Sequence, residues 1–210
     1  MEVAMLRQVW ILKRGNMNKK SNYFSVFYLF CVTLLLGFSL LNVAPQKEEK
    51  RSLIESQIEM LLVKESFILK GERRSQFVTH LLAVSKDHEF DPLLILAIMK
   101  VESSFNPHAI SNRGALGLLQ LKPVAAKEVS NFFDLSPVSA KQLMDPFINV
   151  QFGVHYLSFL KKSVGKNWMR ILAAYNAGPT YIKRTGIVPT GYASKVLRTY
   201  RQIIKQVGSV

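Results

Sequence analysis

The stretch LLILAIMKVESSFNP, Leu93 to Pro107, carries one acid at the end of an apolar run. Asp91-Pro92 supplies a helix cap and a first-turn proline, so the spacing predicts a helix that reaches Glu102. Leu93 to Met99 is apolar on nearly every face, which predicts a central, buried helix. A carboxyl at the C-terminal end of such a helix meets two effects that disfavour its charge: desolvation, and the negative end of the helix dipole. Both raise proton affinity, which suits a general acid working near neutral pH. The other readings of Glu102 are an outward, solvated side chain or a pair with Lys100 or Arg113.

Two further segments hold residue types that belong in a site. ISNRGALGLLQLKP contains Ser111, Gly117 and Gln120, and AAYNAGP places Tyr175 and Asn176 at a helix end. The elements that must position them read as helices. SQFVTHLLAVSKDH turns Phe77, Leu81, Leu82 and Val84 inward. Further helices open at Pro123, at Asp145-Pro146 and at Asn167, where WMRILAAYNA runs to a Gly178-Pro179 stop. A last one spans roughly 191–207. There is no run of alternating strands and no long repeat, so the fold class is mainly α.

In order and spacing, E-S-S-x-F-N-P, G-L-L-Q and A-Y-N-A-G-P resemble the soluble-lytic-transglycosylase-like family of peptidoglycan lyases, related to goose-type lysozyme. The resemblance covers about residues 77–205. It implies a lysozyme-like α fold with a groove for a glycan strand of alternating N-acetylglucosamine and N-acetylmuramic acid. It also implies a reaction with one carboxylate where most glycosidases use two. Glu102 would protonate the bridging oxygen while the substrate acetamido group stabilises the cationic centre. As a base it would then help the muramic C6 hydroxyl attack C1, giving a 1,6-anhydromuramoyl end.

The same resemblance gives supporting roles. Ser111 would steady the acetamido group, and Gln120 would order the pocket or bind sugar. Tyr175 and Asn176 would face the cleaved bond, Tyr192 in TGYASKV would point toward the glutamate, and Ser103 would orient its turn. Ordinary core tyrosines are the other reading of Tyr175 and Tyr192. Two departures stand out. Leu119 occupies a position where the family commonly has methionine, a volume-tolerant exchange. Val188 to Gly191 hold no acid, although many members carry one before the last-helix tyrosine.

The N-terminus indicates a compartment. Basic residues (Arg7, Lys13, Arg14, Lys19, Lys20) precede an uncharged run from Asn22 to Ala44, long enough for a hydrocarbon core of about 30 Å. Positive charge before the run keeps residues 1–21 in the cytoplasm and the rest outside. The expected organisation is a basic tail (1–21), a single-pass cytoplasmic-membrane anchor (22–44), a juxtamembrane helical linker (45–76) and a catalytic domain (77–210). A cleaved signal peptide is the competing reading, and Pro45 after Ala44 argues against cleavage there. MNKKSNYF makes Met17 an alternative start. In the linker, Leu53, Ile54, Ile58, Leu61, Leu62 and Phe67 recur at helical spacing and could pack on the domain, lie on the bilayer or pair with another copy.

Charge and composition exclude several classes. The net charge is +14, and both parts are basic: twelve basic against seven acidic residues through 76, sixteen against seven beyond it. Such a domain favours polyanions. Outside the membrane that moves the partner from nucleic acid to an envelope polymer, with peptidoglycan strands first. Hydrophobic residues at 49% fit a packed core. The single Cys31 rules out an internal disulfide framework. No GxxxxGKS/T or GxGxxG is present, and His80, His88, His108 and His155 lack metal-ligand spacing, so no cofactor is expected. A hydrolytic muramidase would need a second carboxylate, with Asp134 and Asp145 as candidates. A non-catalytic glycan-binding module would have no use for a buried acid.

Overall fold

The computed structural model describes residues 27–33 and 52–208. The expected anchor, 22–44, lies outside the described residues except for 27–33, a helical segment. Among the described residues no helix is long and apolar enough to cross a membrane. A second compact unit runs from Ile54 onward. Its helices are α1 (52–64), α2 (Gly71–Asp87), α3 (Pro92–Ser103), α4 (Pro123–Phe133), α5 (Pro146–Val164), α6 (Trp168–Ala177), α7 (Pro179–Thr185) and α8 (Thr190–Val207). A short 3-10 turn, Gln142–Met144, precedes α5. The described residues contain no strand, only isolated bridges joining Leu116 to Ile110 and Leu121.

The core forms around α3, where every residue from Leu93 to Met99 is buried. A chain such as Leu96, at 0% exposure, contributes about 1.5–3 kcal/mol through burial. α3 packs on α8, whose apolar stripe is Ala193, Val196, Ile203 and Val207. α6 also packs on α8, while α5 joins α2, α4 and α6. Local chemistry sets the starts of three helices. Asp91 accepts from the Leu93 amide, Asp145 from those of Phe147 and Ile148, and Asn167 from that of Arg170.

Two boundaries differ from the sequence reading. The compact unit starts at Ile54, not near 77, because Ile58, Leu61, Leu62 and Phe67 are buried in the same core as α3. At Gly178-Pro179 one helix stops and another begins. Gly178, at φ 89°, breaks the helical path, and Pro179 suits the first turn of α7.

Candidate active site

Glu102 occupies the last turn of α3, and Ser104 and Phe105 beyond it both have left-handed backbone (φ 51° and 63°). A cleft of about 410 Å³ opens over the carboxyl. Ser111, Gln120, Tyr175 and Asn176 line it with Glu102, as do Tyr156 and Glu128. Tyr192, from α8, donates its hydroxyl to Glu102 Oε1 at 2.5 Å. Burial raises the Glu102 pKa above its ordinary value, and the Tyr192 hydrogen bond and the Lys195 charge offset part of that rise. Neither basic alternative holds the carboxyl. Lys100 is paired with Glu65, and Arg113 lies on the exposed rim.

The segment G-L-L-Q is a tight loop closed by reciprocal backbone bonds between Leu116 and Leu121, each 3.0 Å. Gly117 turns it at φ 74°, and a Cβ there would sit 2.4 Å from Asn149 Nδ2 and 2.8 Å from the Leu143 carbonyl, so only glycine fits. Asn149, fully buried in α5, fastens the loop from below. Its oxygen accepts the Leu119 amide at 2.8 Å, and its nitrogen donates to the carbonyls of Leu116 and Leu143. The Gln120 side chain donates to the carbonyls of Ala109 and Gly117, both at 3.0 Å. Gln120 therefore holds the loop in shape while lining the cleft.

The remaining expected residues divide by where their polar atoms go. Ser111 lines the cleft, and its Oγ accepts the Ala115 amide. Ser103 donates to the Leu118 carbonyl at 2.8 Å and to that of Met99 at 3.1 Å. Its hydroxyl ties the acid's turn to the G-L-L-Q loop. Tyr175 donates to the Leu119 carbonyl at 2.6 Å, and its ring lies parallel to that of Tyr192 with centroids 6.4 Å apart. Burial and the nearby Glu102 push both tyrosine hydroxyls well above their usual pKa, so they act as donors. Asn176 is exposed at the end of α6.

Asp134 ends α4 in left-handed backbone and Asp145 caps α5, so neither lines the cleft. The second carboxylate that does is Glu128, one of three residues the sequence reading missed. The others are Asn149 and Tyr156, whose hydroxyl burial and Glu128 push up to about 12. An amide on the inward face of FINVQFGV was the available signal for Asn149. Glu128 and Tyr156 carry no such local signal. His88 and His155 meet with ring centroids 4.3 Å apart, yet among the described residues no group of three or more side chains is placed to hold a metal ion.

These features define a helical, lysozyme-like domain with a half-buried acid at the head of a cleft. The chain belongs to the transglycosylase SLT domain family, which matches residues 81–189. It is 37% identical over 89 residues to the soluble lytic murein transglycosylase of Escherichia coli K12, which covers 42% of this chain and 14% of that protein. It is 36% identical over 118 residues to membrane-bound lytic murein transglycosylase E of Buchnera aphidicola, covering 55% and 52%. The crystal structure of the 70 kDa soluble lytic transglycosylase of E. coli superposes with a TM-score of 0.56 at 28% identity, over 62% of this chain and 24% of that one. The chain thus spans about half or less of the length of these relatives.

Proposed function

We propose that this protein is a membrane-anchored lytic transglycosylase that cleaves the MurNAc-β-1,4-GlcNAc bond of peptidoglycan without water. The observation that carries the reading is the Glu102 carboxyl: half-buried, raised in pKa and hydrogen-bonded by Tyr192 beneath an open cleft. A protonated Glu102 gives its proton to the bridging oxygen as the bond from C1 to that oxygen breaks. The substrate acetamido group stabilises C1, with Ser111 and Asn176 on the cleft wall beside it. The Glu102 carboxylate then takes the proton of the muramic C6 hydroxyl as that oxygen bonds to C1. The acid is restored, and the new end is a 1,6-anhydromuramoyl residue. Ser103, Gln120 and Tyr175 hold the surrounding loop, and Tyr192 orients the acid. The names of the relatives, murein transglycosylases both soluble and membrane-bound, agree with this substrate.

The anchor is part of the proposal. The uncharged run from Asn22 to Ala44 would cross the cytoplasmic membrane once and leave the folded unit outside, facing the wall. Protease added to spheroplasts should remove the folded unit and leave a short membrane-bound stub. A soluble mature protein starting near residue 45 would refute the anchor.

A hydrolytic muramidase is the second reading, and Glu128 on the cleft wall favours it, since a base there could activate water. Mass spectrometry of fragments released from purified cell wall separates the two. Anhydromuramoyl ends support the lyase, and reducing ends as the main product assign the protein to hydrolysis.

A further inference from the structure

Lys100 stands two residues before Glu102 on α3, so the two side chains leave the helix on different faces. The Lys100 ammonium pairs with Glu65, at the end of α1, outside the segment 81–189 that carries the family match. The same ammonium lies 5.7 Å from the centre of the Phe105 ring. Phe105 is only 3% exposed and occupies the second left-handed position after Glu102. Glu65 is itself partly buried, with 21% of its side chain accessible against 38% for Lys100. Ile58, Leu61, Leu62 and Phe67 fix the helix and turn that present Glu65.

A helix end is the part of a helix most prone to fray, because its last carbonyls lack intrahelical partners. Glu102 sits in that last turn, and a general acid has to be held within a fraction of an ångström of its working position. We infer that Glu65 is a positioning residue: through Lys100 and Phe105 it braces the turn that ends α3, and so holds the Glu102 carboxyl in register with the cleft. The helix before the family domain is then a working part of the catalytic unit and not only a spacer. This inference rests on the proposed lyase reading for its kinetic arm, and its structural arm is independent of it.

The test uses the full chain with Glu65→Gln, Lys100→Met and the exchanged pair Glu65→Lys with Lys100→Glu. The structural arm follows hydrogen exchange at the Ser104 amide, which bonds to the Lys100 carbonyl. Exchange should be about tenfold faster in each single variant, since breaking the brace favours local opening. The kinetic arm uses a soluble glycan-strand oligomer. In the single variants kcat should fall about tenfold, less than the roughly 10²-fold that a 1 Å misplacement can cost. KM should stay within about twofold, because the cleft walls are untouched. The exchanged pair should recover part of the lost kcat, because the ion pair returns while the ammonium over the Phe105 ring does not. Single variants that keep the wild-type kcat and Ser104 exchange overturn the brace. So does a loss confined to KM, and so does a Glu65→Gln protein that fails to fold, since the pair would then belong to folding alone. If the wild type releases no anhydromuramoyl product, the lyase reading falls, and Ser104 exchange still decides the brace.

Discussion

α3 and α8 are joined at both ends by the same pair of residue types, a tyrosine hydroxyl on a carboxylate. At one end Tyr200 donates to Asp91, and at the other Tyr192 donates to Glu102. Asp91 is exposed and caps the start of α3, where the Leu93 amide and the positive end of the helix dipole meet its charge. Glu102 lies at the negative end of the same helix, and burial pushes its pKa up. One contact is a clamp and the other holds an acid. The residue pair does not determine which; the end of the helix and the access of water do.

Replacing the acid tests the difference most severely. Glu102→Gln keeps volume and a hydrogen-bond acceptor for Tyr192, yet removes the proton donor and the base. General acid–base groups contribute about 10²–10⁴-fold, and here one group serves both steps, so the loss should reach the upper end or beyond. Stability should move the other way. A carboxyl whose folded pKa is raised lowers stability above that pKa, and the deficit is regained as pH falls through the raised value toward the ordinary 4.5. Thermal melting should therefore find the Gln variant as stable as the wild type or more so at neutral pH, with the difference gone in acid. Retention of more than about a tenth of the activity, well above the 10²-fold minimum, would remove Glu102 from the chemistry.

Tyr192→Phe should cost less and leave a signature in pH. Its hydroxyl holds the Glu102 pKa down, so its loss lets that pKa rise further. The acid form then persists to higher pH, and the alkaline limb of kcat should shift upward while the rate falls about tenfold from lost orientation. An unmoved limb would mean that the bond is not made in solution.

At the other end the same surgery should touch stability alone. Asp91→Ala removes both the cap and the partner of Tyr200, at about 1 kcal/mol, read as a lower Tm with kcat unchanged. Tyr200→Phe should be milder still, about 0.5 kcal/mol for an exposed bond. A pH-shifted rate in either variant would merge the two ends and break the comparison.

Much of this arrangement was legible in the sequence because it is local. Asp91, Asp145 and Asn167 cap their helices through amides two or three residues away. The unbroken apolar run of α3 predicted its central place. The family motifs supplied Tyr192, ninety residues from the acid it meets. Contacts without a local pattern were not legible. Asn149 reaches thirty residues back to the Leu119 amide, and Glu128 and Tyr156 meet only once α4 and α5 have packed. Ser103, expected to orient the turn of Glu102, does so through the Leu118 carbonyl, a partner that exists only when the G-L-L-Q loop closes. The periodicity of 53–67 announced a helix, but its burial depends on the surface of α2 and α3.

The central claim is that a single carboxyl carries both proton transfers and that no water enters the product. Purified cell wall digested by the full chain in heavy-oxygen water tests this directly, with the new muramoyl ends read by mass spectrometry. The expected result is anhydromuramoyl ends free of the label. One labelled oxygen at each new end would contradict the claim and shift the chemistry to a water activated across the cleft, with Glu128 as its base.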